Sequence, residues 1–271
     1  GQKHWIWTGD KKSADDGIKQ TLGGQKPTEV TATDGVVKFT NEKDKGANYF
    51  LIGQGQHIDK ITLGSSSTLS AFSFNGGFSV GEMIIKDGSF SHIGRWDKTD
   101  TCGTTCSAIN VDKLVLDNTA GSTSATFSLG AINAKTTEVN GQSATTEISI
   151  TTTGNKNSYK VSLGDMSVGN GKLKLGGDES IYENFNLTLQ KNGKIDTTSN
   201  TIITKKLQTL TLEASDGASY DLTGLTFGPQ TTIQVATIAT SDAEYFATKD
   251  KAIMNKITGS KEPQRYKSER K

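Results

Sequence analysis

A chain of 271 residues has room for one large or two ordinary domains, but only 32% of this one is hydrophobic, too little for a wide globular core. Its 30 basic and 29 acidic side chains are mixed along the chain and leave a net charge of +1, which excludes a domain-scale field for nucleic acid or anionic lipid. The only arginines are Arg95, Arg265 and Arg270, so bidentate recognition of phosphate or carboxylate is poorly provided for.

The chain opens on Gly1-Gln2-Lys3-His4, which does not read as a signal peptide, and no apolar run approaches the roughly 18 to 20 residues of a membrane helix. A soluble, already processed or truncated piece that inserts into no membrane is therefore expected. Gly is abundant at 30 residues, Pro is scarce at 3, and Thr, Ser and Asn fill much of the rest. That composition suits turn-rich strands better than long helices. Residues 1–57 read as an N-terminal cap and first coils, with the Trp5/Trp7 segment shielding an open strand edge.

From there a short pattern recurs: apolar-x-apolar strands around two turn-like residues. The clear copies are Ile58-Asp59-Lys60-Ile61-Thr62-Leu63, Val80-Gly81-Glu82-Met83-Ile84-Ile85, Val111-Asp112-Lys113-Leu114-Val115-Leu116 and Leu163-Gly164-Asp165-Met166-Ser167-Val168. Leu207-Gln208-Thr209-Leu210-Thr211-Leu212 is a looser copy, and fainter ones fall at 132–139, 185–189 and 233–238. The spacing of roughly 20 to 30 residues is the length of one coil of a β-helix. Each copy alternates with period two, so one side faces inward, and coils stacked at about 4.8 Å build a continuous thin core.

The expected fold is thus all-β: a right-handed parallel β-helix, or solenoid, with coils over 58–240 and a short C-terminal helix. The paired central residues of the motif should bend each coil, and Lys60, Glu82, Lys113 and Asp165 should stack as a ladder of alternating charge. Gly64-Ser65-Ser66-Ser67, the stretch 151–157 and Gly169-Asn170-Gly171 read as loops leaving the coils. Residues 241–271 read as a terminal helix over 242–257 after a Ser241-Asp242 N-cap signal, then a polar tail without an apolar period from 259 onward.

The chemically densest stretch is an insert near 94–108. Cys102 and Cys106 are the only cysteines; they are expected to close a small disulfide loop, against the alternatives of two free thiols or half of a zinc site. Arg95, Trp96, Asp97 and Lys98 beside them form a candidate recognition loop. His4, His57 and His92 are unpaired and not at metal-ligand spacing. A Ser-His-Asp triad would need assembly by the fold, since no Gly-x-Ser-x-Gly elbow occurs. The glycine-rich Gly53-Gln54-Gly55-Gln56 and Gly176-Gly177-Asp178-Glu179 extend to no nucleotide-binding fingerprint. No catalytic residue, metal or cofactor is expected.

Between 78 and 118 the segments Gly88-Ser89-Phe90-Ser91-His92-Ile93 and Ile109-Asn110-Val111-Asp112-Lys113-Leu114-Val115-Leu116-Asp117-Asn118 flank that insert. Together with the opening His4-Trp5-Ile6-Trp7-Thr8-Gly9, they resemble the early β-helix of the vacuolating-toxin-like autotransporter passengers of Helicobacter and its relatives. The likeness covers about the first 120 residues in detail and the rest only in style. It implies export, passage through a C-terminal barrel, and an extracellular place at the outer-membrane surface of a Gram-negative bacterium. The toxin's long apolar N-terminal segment and the barrel itself have no counterpart in these residues.

The reading that follows is an autotransporter passenger domain acting as a surface stalk and as an adhesion or colonisation module without catalysis. Its expected partner is a host-cell receptor or glycan, with no nucleic acid and no membrane insertion. The alternatives are a subunit or domain of a secreted vacuolating-type toxin and a carbohydrate-cleaving β-helix enzyme.

Overall fold

The computed structural model describes residues 57–64, 79–86, 109–152, 161–176, 182–196 and 202–237, apart from 122, 130, 131 and 216. It also describes the backbone of short strands elsewhere. In chain order the strands are β1 (Trp5–Trp7), β2 (Lys19–Thr21), β3 (Glu29–Thr33), β4 (Val36–Phe39), β5 (Lys45–Gly46), β6 (His57–Leu63) and β7 (Thr68–Phe72). They continue as β8 (Ser79–Lys86), β9 (Phe90–Gly94), β10 (Ile109–Asn118), β11 (Ser124–Leu129), β12 (Ile132–Gly141), β13 (Glu147–Thr152) and β14 (Asp165–Leu175). The last are β15 (Phe185–Ile195), β16 (Leu207–Ala214), β17 (Tyr220–Asp221), β18 (Thr232–Thr237), β19 (Ile257–Thr258) and β20 (Arg265–Arg270), with a single-turn 3-10 helix at Ile202–Lys206 before β16.

All eight copies of the sequence pattern become neighbours in one sheet. From β3 the order runs β6, β8, β10, β12, β14, β15, β16, β18 and β20, and every one of these contacts is parallel. Between them the chain visits a second parallel sheet of β7, β9, β11 and β13, which joins the far half of β14. Strands β14 and β15 serve both sheets by running on round a corner. The architecture is a parallel β-solenoid.

Register explains why the pattern repeats as it does. Ile61, Met83, Leu114, Thr137, Met166, Leu187, Leu210 and Ile233 stand in one column, and Leu63, Ile85, Leu116, Val139, Val168, Leu189, Leu212 and Val235 in the next. All of these side chains are buried. Opposite them, Phe127, Ile148, Ile150, Leu173, Leu175 and Ile195 fill the core from the second sheet. A coil cannot bury these residues alone, so neighbouring coils supply one another's stability.

Thr137 is the polar member of an otherwise apolar column, and it explains why the copy at 132–139 is faint in the sequence. Its hydroxyl is fully buried and donates to the Leu163 carbonyl at 2.8 Å, which satisfies a group that would otherwise cost free energy in the core. The same device recurs at Thr231, whose hydroxyl donates to the Leu207 carbonyl at 2.7 Å.

The predicted bend is present. In β6 the inward residues Ile58 and Ile61 are separated by two outward ones, Asp59 and Lys60, and β8 repeats this with Gly81 and Glu82. At the matching position Gly164 has φ +60, and its carbonyl accepts the Asn186 amide at 3.0 Å. Gly169-Asn170-Gly171, expected as a loop, is instead a bulged corner inside the continuous strand β14, with register shifts against β12 and β15. Gly171 turns it at φ +114, where an added Cβ would sit 2.9 Å from Ile148 Cδ1 and 3.0 Å from the Thr146 carbonyl oxygen. The alternation survives through such a corner because the bulge absorbs the odd residue.

The C-terminal end departs from expectation. The helix read over 242–257 falls outside the described residues except for Ile257, which belongs to β19, paired with β17. The polar tail, in which no apolar period marks a strand, contains β20, parallel to β18 from Thr232↔Arg265 to Thr237↔Arg270. Arg265-Tyr266-Lys267-Ser268-Glu269-Arg270 has no apolar period to announce a strand; the exposed ladder of β18 is a template that pairs backbone irrespective of side chain. At the other end β4 and β5 fold back antiparallel beside β3.

Candidate functional site

The first corner of the solenoid carries a ridge of polar side chains, one or two per coil. Lys60 and Glu82 lie 3.6 Å apart, Glu82 and Lys113 3.7 Å, and Lys113 and Glu138 3.5 Å. Lys135 pairs with Asp112 at 3.1 Å. The expected charge ladder therefore exists over Lys60, Glu82 and Lys113, but Asp165 is not its fourth rung. The coil of β12 intervenes with Thr136 at that register, Glu138 takes the place of the acid, and Asp165 accepts a hydrogen bond from Asn186 Nδ2 at 2.9 Å. On an open ridge such pairs contribute tenths of a kcal/mol each and weaken with salt.

One constellation on this ridge was not foreseen. His57 Nδ1 lies 2.7 Å from the Ser79 hydroxyl, and His57 Nε2 lies 3.2 Å from Asp59 Oδ1. The sheet assembles it from register alone: His57 faces Ser79 across β6 and β8, and Asp59 follows His57 on the same strand. The detectable signal was alignment of the copies, since His57 and Ser79 each immediately precede the first apolar residue of their motif. Serine, imidazole and carboxylate are the parts of an acyl-transfer triad, but here the side chains of His57 and Asp59 are 50% and 67% exposed. Nucleophile activation draws its strength from water-excluded, preorganised donors. In this hydrated setting the contacts clamp two coils at their corner, as Asn133 Nδ2 and Asn110 Oδ1 do at 3.1 Å two coils further on.

Two tyrosines close the connections behind the core. Tyr182 donates from its hydroxyl to the Gly176 carbonyl at 2.8 Å, and Tyr220 donates to the Glu213 carbonyl at 2.6 Å, with the Leu189 carbonyl at 3.1 Å. Burial pushes both phenols well above the usual tyrosine range, helped at Tyr220 by the negative charge of Glu213. A raised folded value means that the neutral phenols add stability in full below the unfolded value of about 10, and that this is lost as pH climbs beyond it. The urea midpoint is expected to fall between about pH 8 and pH 11, and to fall less in the Tyr182→Phe, Tyr220→Phe double variant. An equal fall in both proteins would show that other groups govern alkaline unfolding.

The residues singled out in the insert, Arg95, Trp96, Asp97, Lys98, Cys102 and Cys106, lie outside the described residues. In the chain they fall between β9, which ends the visit to the second sheet, and β10, which begins the next coil of the first. His4 also lies outside them, and His92 lies in β9. Among the described residues no group of three or more His, Cys, Asp or Glu side chains is placed to hold a metal ion.

Fold and surface together define the class: a parallel β-solenoid with a thin aliphatic core and polar ridges at its corners. No family model, curated protein or solved structure matches the chain.

Proposed function

We propose that this chain is an extracellular passenger domain of the autotransporter type, carried at the outer-membrane surface of a Gram-negative bacterium. It serves there as a stalk and as an adhesion or colonisation module that works by binding rather than by chemistry. The observation that carries this reading is the unbroken stack of parallel strands from β6 to β18, with two core columns that continue from coil to coil. Each coil adds about 4.8 Å of length, and its connections leave at the corners, free to vary without disturbing the core.

Support for the location comes from the resemblance of the segments around the insert to vacuolating-toxin-like passengers, and from the closely spaced Cys102 and Cys106, which suit an oxidising compartment. The partner is a host-cell receptor or glycan, contacted through Arg95, Trp96, Asp97 and Lys98. A loop with one aromatic anchor between charges, closed by a disulfide, has the composition of a binding tip. The test is binding of the intact protein to epithelial cells and a panel of host glycans, beside the Trp96→Ala, Asp97→Ala, Lys98→Ala variant. Saturable binding that the variant loses is expected. Absence of binding by the intact protein, or undiminished binding by the variant, would contradict the assignment.

A further inference from the structure

The two sheets treat their cations differently. Along the first corner Lys60, Lys113 and Lys135 each have a carboxylate within 4 Å. In the second sheet Lys172 of β14 stands directly opposite Lys194 of β15, and Lys174 follows Lys172 by two residues, on the same outward face. None of these three forms an ion pair among the described residues, although Glu147 occupies the register position on the other side of Lys172. Like charges directly opposite across a ladder are destabilising. The fold therefore accepts a repulsion here of a kind that it neutralises along the first corner, as a surface does when its counter-charge arrives from outside.

We infer that Lys172, Lys174 and Lys194 form a docking strip for a sulfated polysaccharide chain. The strands of this sheet are about 4.8 Å apart, so the ammonium groups present closely spaced positive charge along a flat face, suited to a linear polymer with densely spaced anions. Beyond Glu147, the neighbouring outward positions are hydroxyls: the half-buried Ser149 stands opposite Lys174, and the exposed Thr126 opposite Ser149. Hydroxyl donors beside ammonium groups match a polymer that is both anionic and polyhydroxylated. Among the described residues of β11, β13 and β14 this face offers no outward aromatic side chain on which a nucleic-acid base would stack and no fully exposed apolar side chain to enter a bilayer. The strip shares no residue with the Arg95–Lys98 segment, so its success or failure leaves the proposal for that segment untouched.

The experiment uses heparin as the sulfated probe and titrates it calorimetrically into the intact protein at about 0.15 M salt. Two triple variants accompany it: Lys172→Gln, Lys174→Gln, Lys194→Gln at the strip, and Lys60→Gln, Lys113→Gln, Lys135→Gln on the neutralised ridge. Both lower the net charge equally, and circular dichroism confirms that each is folded. Loss of on the order of fivefold per lysine, roughly a hundredfold in all, is expected for the strip variant, with the ridge variant close to the parent. The inference fails if heparin does not bind, if both variants weaken alike, or if single-stranded DNA or anionic vesicles bind the strip as tightly as heparin does.

Discussion

Replacing Gly164 by alanine is expected to destabilise the solenoid by about 3 kcal/mol or more, whereas Gly176→Ala should leave it within about 0.5 kcal/mol. Gly164 sits at the corner between the buried Leu163 and the outward Asp165, at φ +60, a conformation that carries a steric cost for any side chain. A Cβ there would also run into the carbonyl oxygens of Ala134 and Lys135 in the preceding coil, which are backbone atoms and cannot swing aside. Relief requires the coils to part, and parting them strains the Thr137 hydroxyl bond to Leu163 and the Asn186 amide bond to Gly164. At Gly176 the nearest atom to an added Cβ is the Ile150 carbonyl oxygen at 3.5 Å, an ordinary contact. Urea denaturation of both variants measures the difference. Equal midpoints would show that the corner at Gly164 is not built as described.

The second large effect is expected in the middle of the core. Leu187→Ala should cost about 3 to 4 kcal/mol, because Leu187 is fully buried and stands between Met166 and Leu210 in its column. Neighbouring coils are held at the hydrogen-bonding distance of their sheets and cannot collapse into the space left behind. Thr188→Ala, one residue on and facing outward, serves as the reference and should change stability by less than about 0.5 kcal/mol. If Thr188→Ala instead unfolds at the lower urea concentration, the inward and outward faces of β15 have been exchanged, since a slip of one residue reverses them, and equal midpoints would show that Leu187 is not packed in the core as described.

Much of this fold was legible because its signal is redundant. The alternation of Ile58, Ile61 and Leu63 recurs in copy after copy, and a stack in register needs the same residue type at the same place in each coil. Legibility failed where the fold substitutes for the pattern. Thr137 fills an aliphatic position by finding a carbonyl acceptor in the next coil, a partner 26 residues away that no local reading reveals. Gly169-Asn170-Gly171 reads as a loop by composition, but the neighbouring strands hold it in the sheet as a bulge. Strand β20 takes its conformation from the edge it covers rather than from its own side chains.

Surface chemistry was legible only in part for a related reason. The charge ladder over Lys60, Glu82 and Lys113 could be anticipated by aligning the copies, but the faint copy that separates Asp165 from Lys113 shifts the next rung to Glu138. The contact between His57 and Ser79, and the row of Lys172 and Lys194, depend on which coils are adjacent. Adjacency is a property of the stack and not of any one motif.

Distances between spin labels along one outward column test the solenoid most directly. Thr62, Ile84, Val115, Glu138, Ser167, Thr188, Thr211 and Gln234 follow one another in register, so Ser167, Thr188 and Gln234 lie four, five and seven strands from Thr62. With Cys102 and Cys106 replaced by serine, labels at Thr62 and at each of these positions in turn should be separated by about 19, 24 and 34 Å. A linear rise of about 4.8 Å per strand is the predicted result. Distances that do not grow with strand number would contradict the stack, and with it the stalk, the ridge and the lysine strip built upon it.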